Sequence, residues 1–380
     1  MPYLCRISMV IFLSFFLIEN TFAKAEQLQI SHPSFSEPLV FNVNLPANYG
    51  QKTTKFYPLM FDFHPHSQSY LKGMHDWMSH NGEWPWLQTI IVTPAHGNPV
   101  GKLFDVTGKS TPLLDFFEQN LFTKIDNKYR TNNFKIMSGF RVNGTLLLSA
   151  LINKPNLANA YIVTSPELNG DLAAILSTSK EKLAKLDKKP RFLYLSHGNT
   201  IKEDHQMASY KALYKILEDS APKSLDWHFQ DNKEHYFMSL PLLSTIAGIE
   251  LLFDDIHRGL DPTGDISKAG VVAISKHYQY LTTEKYGFEV SPKTSIKNRA
   301  FYLVDKGEKK GIEVLKEYVN LYPDDAYSYH YLAKGYAQLG EHSLAIKNQE
   351  KAVKMSKNML TWHQKRISKQ LEEFKKTNRS

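Results

Sequence analysis

The residues with the clearest chemical signature lie between Phe134 and Leu151, where the chain reads Phe-Lys-Ile-Met-Ser-Gly-Phe-Arg-Val-Asn-Gly-Thr-Leu-Leu-Leu-Ser-Ala-Leu. A short apolar run that reaches a Gly-rich turn and passes at once into good helix formers predicts strand, sharp turn, helix. A nucleophile carried on such a turn sits in the pattern G-x-S-x-G, with small residues on either side because strand and helix pass close together. Here the pattern is Gly139-Phe140-Arg141-Val142-Asn143, with Gly144 next, and arginine occupies the nucleophile position. A guanidinium stays protonated at any ordinary pH and cannot attack a carbonyl. It can hold an anionic group through paired N–H donors, which makes Arg141, with Phe140 beside it, a candidate for ligand binding. A second concentration of functional groups is His64-Pro65-His66, with His75 and His80 downstream. It lacks carboxylate spacing and a helical i, i+4 pair, so no metal or other cofactor is expected, and His64 and His66 are read instead as loop residues beside the ligand.

Several elements must position these groups. Leu39–Leu45, Tyr57–His64, Thr89–Pro94, Ala160–Pro166 and Arg191–Ser196 read as strands, several nearly continuous in apolar residues as a sheet buried on both faces requires. Leu113–Phe122 and Asp171–Leu186 read as intervening helices, and strands alternating with helices predict a mostly parallel α/β sheet with helices on both faces. Ahead of them, residues 1–25 carry Arg6, an apolar Met9–Ile18 too short to span a bilayer, and small-residue cleavage points after Ala23 or Ala25. That is the form of a secretory signal peptide, which places the chain in a periplasm or outside the cell with no stable membrane insertion after cleavage. Cys5, the one cysteine, falls within it, so the mature chain has no disulfide, cysteine nucleophile or cysteine metal site. The formal charge of +8, or +7 without the leader, is modest and reads as dispersed, and no arginine-rich run points to nucleic acid.

At this point a resemblance becomes specific. Tyr57–Asp62, Leu114–Glu118, Ile125–Asn132, the Gly139–Gly144 turn, Asn159–Pro166 and Glu234-His235 before an apolar helix together resemble the esterase D-like branch of the α/β-hydrolases, which includes siderophore esterases. The resemblance spans residues 36 to 256 and implies an α/β-hydrolase fold acting on carboxylic esters. In that fold the acid and then the histidine follow the elbow. The implied base is His235, and the implied acid is Glu203 or Asp204, between which the sequence does not choose. The loop holding His64 and His66 lies where related hydrolases donate an oxyanion-hole amide. Arg141 is the departure: it removes the nucleophile, so the expected protein is a catalytically impaired ligand-binding or scaffold protein. The alternative is an active ester hydrolase using another serine, or water activated by His235 with Arg141 holding an oxyanion. A salt bridge from Arg141 to Glu203 or Asp204 would close the old site.

The chain then changes character. Residues 26–256 form the hydrolase-like unit, 257–291 a helical connector, and 292–380 a small all-α tail. In the tail a 34-residue period relates Gly311-Ile312 to Ala345-Ile346 and Leu321 to Met355, and 326–357 carries the small and aromatic positions of a tetratricopeptide repeat. Residues 292–325 read as a degenerate first repeat and 359–375 as a capping helix. The expected partners are therefore a small ester or anionic ligand in the hydrolase-like unit and a protein at the tail.

Overall fold

A computed structural model describes residues 25–52, 54–80, 84–97, 102, 105–107, 109 and 111–377. The signal segment apart from Ala25 lies outside the described residues. Eight strands form one sheet: β1 (Ala25–Ile30), β2 (Leu39–Asn44), β3 (Tyr57–Asp62), β4 (Ile90–Pro94), β5 (Thr131–Phe140), β6 (Ala160–Thr164), β7 (Arg191–His197) and β8 (Leu225–Asp231). Their order is β1-β2-β4-β3-β5-β6-β7-β8. The β1–β2 and β2–β4 pairings are antiparallel, and every pairing from β4 to β8 is parallel.

Side chains alternate across a strand, so a sheet covered on both sides must be apolar on both faces. Phe61, Val92, Met137, Val163 and Leu195 enter one core. Their neighbours Met60, Ile91, Ile136, Ile162 and Tyr194 enter the other. The first core is closed by α2 (Pro112–Phe116), α3 (Thr123–Lys128), α4 (Val142–Asn153), α5 (Ile175–Ala184) and α6 (Met207–Ser220). Helices α1 (Ser67–Met78) and α7 (Leu240–Leu252) cover the opposite face. The helix expected over 113–122 begins as α2, widens into a π-helical segment over Phe117–Phe122, and runs on through α3.

Past α7, the short α8 (Asp254–His257) and α9 (Asp265–Lys268) and the longer α10 (Val271–Tyr280) lead into the tail. There α11 (Lys293–Asp305) pairs with α12 (Lys310–Leu321), α13 (Ala326–Gln338) pairs with α14 (His342–Met355), and α15 (Thr361–Thr377) packs on α14. Small residues permit the close pairing: a Cβ on Gly311 would lie 2.6 Å from the Ala300 carbonyl oxygen. The tail shares a hydrophobic core with the sheet, because Ile296, Ala300 and Leu315 belong to the cluster that includes Ile136 and Phe253.

Candidate functional site

Parallel strands leave their C-terminal ends as the natural place for a site, and β3, β5 and β6 end together here. Arg141 joins β5 to α4 with φ 56° and ψ −125°, a conformation that costs a non-glycine residue about 1–3 kcal/mol and persists only where the surroundings enforce it. Those surroundings are explicit. The Arg141 amide donates to the Thr164 carbonyl at 3.0 Å, and the Arg141 carbonyl accepts from the Thr145 amide at 3.1 Å. A Cβ on Gly139 would lie 2.7 Å from the Asn143 carbonyl oxygen, and one on Gly144 would lie 3.2 Å from the Gly139 carbonyl oxygen. The turn therefore has the tight crossing of a nucleophile elbow with an arginine at its apex. Asn143, in the second small-residue position, is buried in the first turn of α4.

The elbow opens onto a cavity of about 640 Å³. Its polar wall includes Asp62, His64, His66, Arg141 and Glu167, and its apolar wall includes Phe140, Val142, Phe237, Met238, Pro241 and Leu242. Phe140 and Phe237 meet at 4.8 Å between ring centroids, which joins the elbow to the segment that opens α7. Arg141 reaches Glu167 at 3.4 Å, and its side chain is 58% exposed. Glu167 also accepts from Gln206 Nε2 and lies 3.3 Å from His205 Nε2. Its main chain is fixed from two sides. The Glu167 carbonyl accepts from Thr145 Oγ1 at 2.6 Å, and Gln206 Oε1 accepts the next two amides, those of Leu168 and Asn169, each at 2.8 Å.

The floor of the cavity is a buried carboxyl. Asp62 accepts from Ser138 Oγ at 2.5 Å and from the His64 amide at 2.8 Å. Burial pushes its pKa above the usual carboxylate range, against the pull of those donors. Tyr70, another cavity residue, has its phenol pushed up first by burial and then by Asp62. His64 and His66 sit exposed at the mouth, rings 5.3 Å apart, with the His66 amide donating to His64 Nδ1 at 3.2 Å. The other two histidines of that group lie elsewhere. His75 is buried against Trp86 and accepts from the Thr89 amide at 2.9 Å, while His80 bonds Ser79. Of the nearby tryptophans, Trp86 is in the core, whereas Trp77 and Trp84 are exposed away from the cavity lining.

Glu203 and Asp204 part company in three dimensions. Glu203 is buried, accepting from Ser165 Oγ at 2.7 Å and from the Gly198 amide at 2.9 Å. Asp204 is exposed at the start of a short 3-10 turn. Neither pairs with Arg141; its partner is Glu167, so the alternative of a salt bridge from Arg141 to Glu203 or Asp204 is not realised. His235 is exposed in the turn its amide closes onto the Asn232 carbonyl at 3.0 Å. Among the described residues, no hydrogen bond or ion pair joins its side chain to Glu203, Asp204 or Arg141. It lies two residues before Phe237, which does line the cavity. Sequence reasoning missed Glu167 and the apolar wall of Phe237 to Leu242. The available signal for Glu167 was its place three residues past the end of β6, beside the elbow strand.

No family model and no curated protein sequence matches the chain. Solved structures do. An IroE-like serine hydrolase from Shewanella oneidensis superposes with a TM-score of 0.57 at 20% identity, over 77% of this chain and 98% of its own. An uncharacterised protein from Capnocytophaga ochracea superposes with a TM-score of 0.66 at 15% identity, over 93% of this chain and 99% of its own, a span that takes in part of the helical tail. The siderophore hydrolase EstA from Aspergillus nidulans gives a TM-score of 0.52 at 13% identity, over 66% and 99%. The chain thus has the fold of the esterase-like α/β-hydrolases, with a helical region after it.

Proposed function

We propose that this protein binds, and does not hydrolyse, an amphiphilic anion: a small molecule with a carboxylate or similar group held by Arg141 and an apolar body against Phe140, Phe237, Met238 and Leu242. The observation that carries the reading is the arginine at the apex of an otherwise complete elbow, facing a cavity of about 640 Å³, within the range of small-molecule sites. Other serines are poor substitutes for the missing nucleophile. Ser138 donates to Asp62, Ser165 donates to Glu203, and Ser149 lies inside α4 accepting from Asn153; all three are buried. Without a serine hydroxyl to deprotonate, the base can form no acyl-enzyme, and loss of the nucleophile alone costs about a million-fold in a serine hydrolase.

Glu167 fits the same reading as a resident counter-ion that an incoming carboxylate displaces. We place the protein in the periplasm or outside the cell on the strength of residues 1–25; among the described residues no helix is long and apolar enough to cross a membrane. The tail, read as tetratricopeptide-like repeats, is proposed as a separate protein-binding module.

The test is turnover of short-chain and medium-chain p-nitrophenyl esters together with labelling by a serine-directed fluorophosphonate. The expected result is no His235-dependent turnover and no label. A rate abolished by His235→Ala would make the protein an esterase and overturn the reading.

A further inference from the structure

The chain's excess positive charge is not dispersed, as the sequence first suggested. Residues 292–380 hold 18 Lys and Arg against 10 Asp and Glu, whereas residues 1–291 hold 28 of each, so the tail carries the whole +8. Within the tail, three cations from three different helices converge. Lys297 of α11 places its Nζ 5.8 Å from the ring centroid of Tyr331 on α13. Lys334, one turn past Tyr331, places its Nζ 5.8 Å from the ring of Phe301 on α11. The two rings themselves meet at 6.2 Å. On the same face of α13, Tyr327 packs 5.6 Å from the Tyr331 ring and bonds His363 Nδ1 of α15 at 2.6 Å, and Arg366 stands one turn beyond His363. The cations feel one another. The Lys297 ammonium is pushed down first by burial and then by Arg366 and Lys334. Buried His330 between them is held down to about 4, with the same two cations adding to the effect of burial.

Among the described residues the tail's ion pairs, Lys293–Asp325, Lys369–Glu373 and Lys375–Glu350, include none of the three. Three like charges gathered on an aromatic floor with no carboxylate paired to any of them repel one another, and an anionic partner relieves that repulsion. A second copy of this face, carrying the same charge, would not.

We propose that the face shared by α11, α13 and α15 docks an acidic peptide segment, its carboxylates taken by Lys297, Lys334 and Arg366 and an apolar side chain seated against Tyr331. Nucleic acid fits less well. Single strands need free aromatic faces for stacking. Here the rings are turned edge-on into each other, Phe301 against Tyr331 at 86° and Tyr318 against Tyr331 at 75°. This site is separate from the Arg141 cavity, so it stands whether or not that cavity binds an anion.

The experiment is fluorescence anisotropy on the full chain with three labelled probes: a short peptide alternating Glu and Leu, its Gln counterpart, and a short oligothymidine. The Glu peptide is expected to bind more tightly than either of the others. Lys334→Met, which keeps the stem against Phe301, and Arg366→Gln are each expected to weaken it about tenfold, the loss of one partly desolvated charge pair. Lys354→Met, an exposed lysine on α14, controls for general charge and is expected to leave binding unchanged. Thermal melts of all three variants should match or exceed that of the natural chain. Equal binding of the Glu and Gln peptides, equal loss in the Lys354 control, or tighter binding of oligothymidine would overturn the proposal.

Discussion

At the scale of single residues, Arg141 and Glu167 decide what the cavity can hold. The pair is held at 3.4 Å with the guanidinium largely in solvent. An exposed pair of this kind is worth about 0.2–1 kcal/mol, so Glu167 holds Arg141 loosely enough for a ligand to compete. Glu167→Gln should therefore tighten binding of a carboxylate such as octanoate by up to about fivefold. Calorimetric titration measures it, and unchanged or weakened affinity would show that Glu167 is not a competitor. The place of Arg141 at the strand-to-helix turn was legible in the sequence because glycine spacing marks the turn. Glu167 was not, because its nearness to Arg141 arises from the parallel pairing of β5 with β6, in which Phe140 faces Thr164. Burial, which spacing does not report, separates Glu203 from Asp204.

At the scale of elements, the elbow is a crossing of β5 and α4 so close that it excludes a methyl group. Gly139→Ala would drive Cβ to 2.7 Å from main-chain oxygen, where no side-chain rotation relieves the clash. The expected cost is about 2 kcal/mol, read as a lowered urea midpoint. Gly144→Ala, whose nearest contact would be 3.2 Å, should cost less. Equal midpoints for Gly139→Ala and the natural chain would mean that the crossing is looser than described. Most strands were legible because their apolar runs and flanking turns are unambiguous: the five expected segments from Leu39 to Ser196 overlap β2–β4, β6 and β7, whereas β1 was not expected. The π-helical widening at Phe117–Phe122 was not, because its apolar positions satisfy an ordinary helix equally well.

At the scale of the whole molecule, the two faces of the sheet carry different burdens. One core holds α2 to α6, while the other continues through α7 and α10 into the tail, so the tail's stability is tied to that face. Acid should loosen the tail. His330 is buried, held down to about 4, and bonded to Gln349 at 3.1 Å. A histidine whose folded-state value lies below its unfolded value of about 6.5 binds more protons when unfolded. Its contribution is therefore present above about 6.5 and is lost as pH falls toward 4, up to ~3 kcal/mol if no other group compensates. Melting temperature should fall over that window, and His330→Leu should flatten the decline even though it leaves Gln349 Oε1 unpaired. An undiminished slope in the variant would assign the acid sensitivity elsewhere, for example to buried His75, whose value burial also lowers.

The central claim is that the elbow has become an anion receptor, and the most direct measurement compares octanoate with octanamide by calorimetric titration, using the natural chain and Arg141→Met. The two ligands share an apolar body and differ in charge, so their difference isolates the guanidinium. The natural chain is expected to prefer octanoate by about tenfold, the worth of one charge-assisted pair, and Arg141→Met to bind both ligands equally. No preference in the natural chain, or a preference that survives in Arg141→Met, would contradict it.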